Sequence, residues 1–157
     1  MIFEEHVYKF MYAALQEAEK ALETNEVPVG AVVVFENKII GRGYNQTEML
    51  KDSTAHAEML AITAASNHLQ SKILDQCDLY VTVEPCVMCA GAILLSRIRN
   101  VYFGTFEPKF GAGGSLFNIL ESNKYNHKVN VYSGVYAEES KNMIEQFFKT
   151  KRNGLKQ

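Results

Sequence analysis

The chain is poor in cysteine, and what it has does not pair off. Cys77, Cys86 and Cys89 are the three cysteines in 157 residues. An odd count, in a chain long enough to fold without crosslinks, speaks against a disulfide scaffold, so reduced thiols are expected. The opening residues MIFEEHVYKF start acidic and never build the basic-then-apolar profile of a secretory leader. Long apolar runs are missing as well. The stretch from Val27 to Phe35 falls far short of the ~20 residues that span a bilayer. No membrane contact and a cytoplasmic location are therefore expected. There is no surplus of positive charge: 16 Lys and Arg face 18 Asp and Glu, a net charge of -2. That excludes a histone-like basic coat, although a local basic patch can hide inside a neutral total. Neither repeats nor Pro/Gly/Ser-rich linkers mark a boundary, so one domain over 1–157 is expected. The composition, 47% hydrophobic and 22% charged, is that of a globular protein.

What is there reads as alternating helices and strands. Val7, Phe10, Met11, Ala14, Ala18 and Leu22 recur at three- and four-residue steps and predict a first helix that stops near Asn25. Ala31 to Phe35, a turn at Glu36-Asn37-Lys38, and Ile39 to Tyr44 predict a hairpin. A polar loop follows from Asn45 to Ser53, after which Thr54 can cap a helix carrying Met59, Leu60, Ile62 and Ala65. Leu79 to Val83 predicts a third strand. Pro85 suits the first turn of the next helix, which runs to about Ser96. Val101 to Gly104 and Val129 to Tyr132 predict further strands, with a glycine-rich loop at Gly111 to Gly114 between them. A short helical piece fits Leu116 to Leu120, and Ala137 to Thr150 predicts a closing helix. Strands interleaved with helices in this way imply one mixed sheet covered on both faces, an α/β protein.

Two fragments carry chemistry: His56-Ala57-Glu58 and Pro85-Cys86-Val87-Met88-Cys89. Both lie at expected helix starts. Cys86 and Cys89, three residues apart there, can aim both sulfurs at one point, and a helix N-terminus favours the thiolate. Zinc binds Cys thiolate and His nitrogen, and His56 is the natural third ligand. Three protein ligands with one open position suit a catalytic zinc rather than a closed structural one. Cys77 is better read as a small buried residue than as a fourth ligand. Glu58, in the first turn of its helix, can sit beside a metal-bound water whose pKa zinc lowers towards ~7, and can take that water's proton and pass it on. Two plainer readings stand beside this one. Glu58 is also where a helix dipole favours any acid, and Cys-x-x-Cys is also a redox dithiol. The dithiol explains neither His56 nor Glu58.

Together the fragments match the signature of the zinc-dependent nucleobase deaminases. In that chemistry hydroxide adds to the amino-bearing ring carbon, C6 in adenine, while the Glu protonates the adjacent ring nitrogen and then the departing ammonia. Longer stretches narrow the likeness. Glu26 to Val32, Thr54 to Glu58 and Leu79 to Ile93 resemble the bacterial tRNA-specific adenosine deaminases of the cytidine/deoxycytidylate deaminase superfamily. So do Ser96-Arg97-Ile98, the loop Gly111 to Leu116, the pair Asn126-His127, and Phe147-Phe148 followed by Arg152. The resemblance covers nearly the whole chain. It implies a three-layer α-β-α cytidine-deaminase-like fold around a mixed five-stranded sheet, one zinc per subunit, and a homodimer. It also implies conversion of adenosine to inosine at the wobble position of a tRNA anticodon, whose stem-loop is the partner; no nucleotide cofactor is expected. By position, Asn45 resembles the family's base-contacting Asn, whose amide offers both donor and acceptor to a purine edge. Val29 and the Val83-Glu84 segment resemble pocket walls. Glu107 and Lys109 stand where the family contacts ribose and phosphate, and Phe148 and Arg152 resemble contacts from the last helix.

Several of these positions also have a bland reading. Asn45 fits a turn after a strand. Of Phe147 and Phe148, one is expected to be buried. The cationic tail of Lys149, Lys151, Arg152 and Lys156 fits a phosphate patch or a solvated helix end. His6, His68 and His127 read as surface or structural residues. The chain departs from the family pattern at Glu107, usually Asp; at Ser53, usually Pro; and at Thr47, often basic. Phe106 and Phe110 make their loop unusually aromatic. Three functions follow: a tRNA adenosine deaminase; a deaminase of a free base or nucleoside such as guanine, cytosine or cytidine; or a non-catalytic RNA-binding subunit that keeps zinc for structure. The intact Glu58 weighs against the last.

Overall fold

The computed structural model describes residues 2–155. Among them the order is α1 (Glu5–Glu23), β1 (Gly30–Phe35), β2 (Lys38–Tyr44), α2 (Thr47–Leu50), α3 (Ala57–Leu69), β3 (Cys77–Val83), α4 (Val87–Leu95), β4 (Asn100–Thr105), β5 (Asn130–Tyr132) and α5 (Ala137–Leu155). The strands form one mixed sheet in the order β2-β1-β3-β4-β5. β1 pairs antiparallel with β2 and β3, while β3, β4 and β5 run parallel.

Side chains alternate along the strands and so divide the core in two. Ala31, Val33, Leu79, Val81, Val101 and Phe103 face α3 and α4 in the larger cluster. Val32, Val34 and Tyr80 face α1 with Val7, Phe10, Met11 and Ala14 in the smaller one. α5 lies on the α1 side, where a Cβ at Gly104 would come within 2.6 Å of the Ser140 hydroxyl. Three tyrosines stack across the parallel strands on that face. The Tyr80 and Tyr102 rings are 4.7 Å apart and 5° from parallel, and Tyr102 and Tyr132 are 4.8 Å apart.

Helix α3, which carries Glu58, rests directly on the backbone of β2. A Cβ at Gly43 would stand 2.3 Å from the carbonyl oxygen of Ala57, in the first turn of α3. Only glycine lets α3 approach so closely. The parallel pair β3 and β4 needs a crossover, which α4 supplies. Both α3 and α4 therefore begin at the same end of the sheet, the carboxyl end of β3, where open α/β sheets place their ligands.

Most predicted elements appear within one or two residues of their expected bounds, and six expectations are corrected. The hairpin turn is the two residues Glu36-Asn37, both at positive φ, so Lys38 belongs to β2. Such a two-residue turn matches the twist of the flanking strands. The loop from Asn45 to Ser53 contains the one-turn helix α2. Thr54 does not cap α3: its hydroxyl turns back to Asp52 Oδ1 at 2.7 Å, and His56 is the N-cap. Pro85 lies before the N-cap of α4, which is Cys86. Leu116 to Leu120 is not helical, because Leu116 N and Phe117 N both donate to Gly111 O and Gly113 bridges to Asn118. The closing helix extends five residues beyond Thr150. α1 does stop as expected, with Asn25 at φ 61°.

Candidate metal centre and its cavity

His56 and Cys86 occupy matching positions, each the N-cap of its helix. Cys89 sits one turn into α4, completely buried. This arrangement brings three ligand atoms together from residues up to 33 apart in sequence. His56 Nδ1 lies 3.6 Å from Cys86 Sγ and 3.6 Å from Cys89 Sγ. All three ligand atoms fall within 4.8 Å of one another. Zinc–sulfur bonds near 2.3 Å and zinc–nitrogen bonds near 2.05 Å, at tetrahedral angles, separate nitrogen and sulfur by about 3.6 Å. The donor set and its spacing therefore fit zinc. Neither N-cap side chain bonds a backbone N–H of its helix, so both stay directed at this point.

The electrostatics agree with a cation site. Bonding to Cys89, then to His56, pulls the Cys86 thiol down to about 4. The same bond to Cys86, with burial, drives the Cys89 thiol upward. The bond to Cys86 also raises the His56 imidazole. Glu58, one residue into α3, is 4% exposed, and burial pushes its carboxyl up to about 7. A carboxyl poised near neutrality in a cleft suits proton transfer. Cys77 stands apart, fully buried in the core at the start of β3, with its thiol pushed by burial to about 11.

His56, Glu58 and Cys86 open onto a cavity of about 1400 Å³. Val29, Asn45, Glu84, Glu107, Lys109, Phe148 and Arg152 line it as well. The fold thus brings every sequence-derived candidate to one cavity, with Cys89 beneath it. Asn45 is held through its backbone N–H, which donates to Val29 O at 3.1 Å. Its side-chain Oδ1 is buried and has no hydrogen-bond partner among the described residues. Glu84, expected as a pocket wall, lines the cavity, and its carboxylate is also taken up by backbone amides of the loop that carries Glu107. Phe147 is buried and Phe148 is 44% exposed, the division expected. His127 bonds Ile98 O at 2.7 Å and His6 pairs with Glu4, both away from the cavity lining. Lys156 lies outside the described residues.

Sequence reasoning passed over two residues. Glu26 is 1% exposed, and its carboxylate accepts the N–H groups of Glu48 and Met49 at 3.0 and 2.7 Å, which fixes α2 beside Asn45. The available signal was an acid next to the apolar run Val27 to Phe35. Ser115 bonds Glu84 through both its amide and its hydroxyl; nothing local marks it.

A family model for the MafB19-like deaminases matches residues 5–152. The tRNA-specific adenosine deaminase of Aquifex aeolicus (strain VF5) is 47% identical over 146 residues, covering 93% of this chain and 96% of that protein. The protein of the same name from Bacillus subtilis (strain 168) is 47% identical over 147 residues, covering 94% and 91%. A solved structure from a study of A-to-I editing by tRNA wobble-position deaminases superposes with a TM-score of 0.83 at 44% identity, over 86% of this chain and 98% of that one. The guanine deaminase of Nitrosomonas europaea shares the fold, with a TM-score of 0.78 at 24% identity over 89% and 83% of the two chains. This chain is a MafB19-like deaminase and, by identity over more than nine-tenths of its length, belongs to the family of the tRNA-specific adenosine deaminases.

Proposed function

We propose that residues 1–157 act as one zinc-dependent deaminase domain that converts adenosine to inosine at the wobble position of a tRNA anticodon. The observation that carries this reading is the placement of Glu58, buried and poised near 7, beside the His56, Cys86 and Cys89 cluster at the base of a large cavity. His56, Cys86 and Cys89 would hold zinc, which when bound lowers the pKa of a coordinated water to about 7. Glu58 takes a proton from the attacking water and delivers it to the purine nitrogen next to the amino-bearing carbon. The second hydroxyl proton follows the same route to the amino group, which leaves as ammonia. Asn45 orients the purine: its buried Oδ1 lacks a partner among the described residues and suits a ring-edge donor.

The rim is built for single-stranded RNA. Lys109, Lys149 and Arg152 bring positive charge to the cavity, and Phe110 and Phe148 bring exposed rings. Aromatics interleaved with cations are the recurring means of holding unstacked bases. A free nucleobase is the poorer fit, because it would leave these exposed rings and cations without a partner. Chains of this family recognise RNA as homodimers by the resemblance above, and we assign the same state and a cytoplasmic setting to this one. Among the described residues, no helix is long and apolar enough to cross a membrane.

The test is incubation of the zinc-loaded protein with an arginine-type anticodon stem-loop bearing adenosine at the wobble position. Inosine is expected from the wild-type protein and not from Glu58→Gln. Turnover of free bases with none on the stem-loop would overturn the RNA reading.

A further inference from the structure

We propose that Glu84 is a positioning residue for the RNA substrate: its buried carboxylate holds residues 107–115 in the shape that presents Glu107 and Lys109 to the cavity. This rests on the RNA reading above.

Glu84 lies between the last residue of β3 and Pro85, two residues before the ligand Cys86. It is 3% exposed. Its Oε1 accepts the N–H of Glu107 at 2.9 Å and the hydroxyl of Ser115. Its Oε2 accepts the N–H groups of Gly113 and Ser115, each at 2.9 Å. A carboxylate offers about four lone-pair sites, so all of them are used and none remains for a ligand. Among the described residues no cation pairs with it. A buried carboxylate needs compensation, and here it comes from the amides of one loop.

The loop closes tightly around this group. A Cβ at Gly111 would lie 2.3 Å from the Glu84 carboxyl carbon, so a side chain there would have to push the carboxylate from its place. Two backbone bonds tighten the wrap: Ala112 N donates to Pro85 O and Gly111 N to Glu107 O, both at 2.8 Å. The Glu107 carboxylate in turn accepts Lys109 N at 3.0 Å. The two residues expected at ribose and phosphate are thus ordered from Glu84 outward. Because Glu84 also adjoins Cys86, one short segment sets the register between the reacting centre and the RNA rim.

Glu84→Gln keeps the shape and removes one acceptor. With its amide oxygen at the Oε2 position it still accepts Gly113 and Ser115, and its NH2 group then opposes the N–H of Glu107. The Glu107 end of the loop should loosen first. Steady-state kinetics on the wobble-adenosine stem-loop should show KM raised about tenfold and kcat within about twofold, because Glu84 touches no reacting atom. Zinc content should stay at the wild-type level, and hydrogen exchange at the Glu107 amide should quicken. Ser115→Ala, which leaves the carboxylate in place, should raise KM about threefold. A folded Glu84→Gln protein with unchanged KM, or one whose kcat falls while KM holds, overturns the proposal. So does zinc loss in step with activity, which would make Glu84 a support of the metal corner alone. If Glu84→Gln does not fold, an unchanged KM in Ser115→Ala overturns it. Absence of inosine from the wild-type protein would fail the RNA reading. Inosine from the wild type with KM unshifted in both variants would fail only the role of Glu84.

Discussion

At the base of the cavity, His56, Cys86 and Cys89 hang from two helix starts, and α3 is seated on the bare backbone of Gly43. At the rim, Lys109, Phe110, Phe148 and Arg152 are exposed and come from a loop and from the C-terminal half of α5. The base is made of short motifs whose geometry follows from regular structure. The rim is made of segments far apart in the chain, held by tertiary hydrogen bonds. The contrast separates two jobs. A group fixed at a helix start keeps sub-ångström placement, as bond making requires. A group on a loop contributes binding that is spread over many contacts and lost by degrees.

The sharpest way to break the comparison is to remove a ligand. Cys86→Ala should lose both zinc, read by elemental analysis, and all measurable inosine formation. Glu58→Gln should separate the two: zinc retained, and turnover lowered by about 10²–10⁴-fold. In the wild-type enzyme kcat should fall on the acid side as Glu58 takes up a proton. Burial sets that carboxyl at about 7, and a nearby cation lowers it from there, so the acid limb lies below about pH 7. Rim changes should act on binding instead. Phe148→Ala should weaken stem-loop binding by an amount equivalent to about 1–3 kcal/mol of stacking, with kcat little changed. Arg152→Ala should flatten the slope of log affinity against log salt by about 0.7, the share of one phosphate on a single strand. The smallest effect belongs to Cys77→Ala, which should lower thermal stability by about 1 kcal/mol and leave both zinc and KM alone. A KM change in that variant would mean that base and rim are coupled through the core.

The cluster of His56, Cys86 and Cys89 was legible because His-x-Glu and Cys-x-x-Cys need only a helix start to converge, and amphipathic spacing or Pro85 marked those starts within two residues. The cap of α3 was misplaced because a local partner, Asp52, captures the Thr54 hydroxyl. α2 was invisible because a one-turn helix has no period to read, and this one is held by Glu26, 22 residues away. The apolar spacing from Leu116 to Leu120 suggested a helix, but the preceding loop is wrapped on Glu84 and its turn bonds return to Gly111. Ser115 escaped notice for the same reason, since its partner is 31 residues distant. Glu84 lines the cavity as its position in the sequence implies, but the partners of its carboxylate are 23 to 31 residues away, and sequence does not show where its lone pairs go.

The column of Tyr80, Tyr102 and Tyr132 has an optical consequence. The chain contains no tryptophan and eight tyrosines, so its near-ultraviolet absorption and emission are those of phenols. Three of those phenols are stacked face to face across neighbouring strands at 4.7 and 4.8 Å. Close parallel chromophores couple, so this column gives the protein a built-in circular-dichroism reporter. Its outermost member sits on the three-residue edge strand. Loss of the coupled band ahead of the far-ultraviolet signal would show that edge peeling away before the sheet melts.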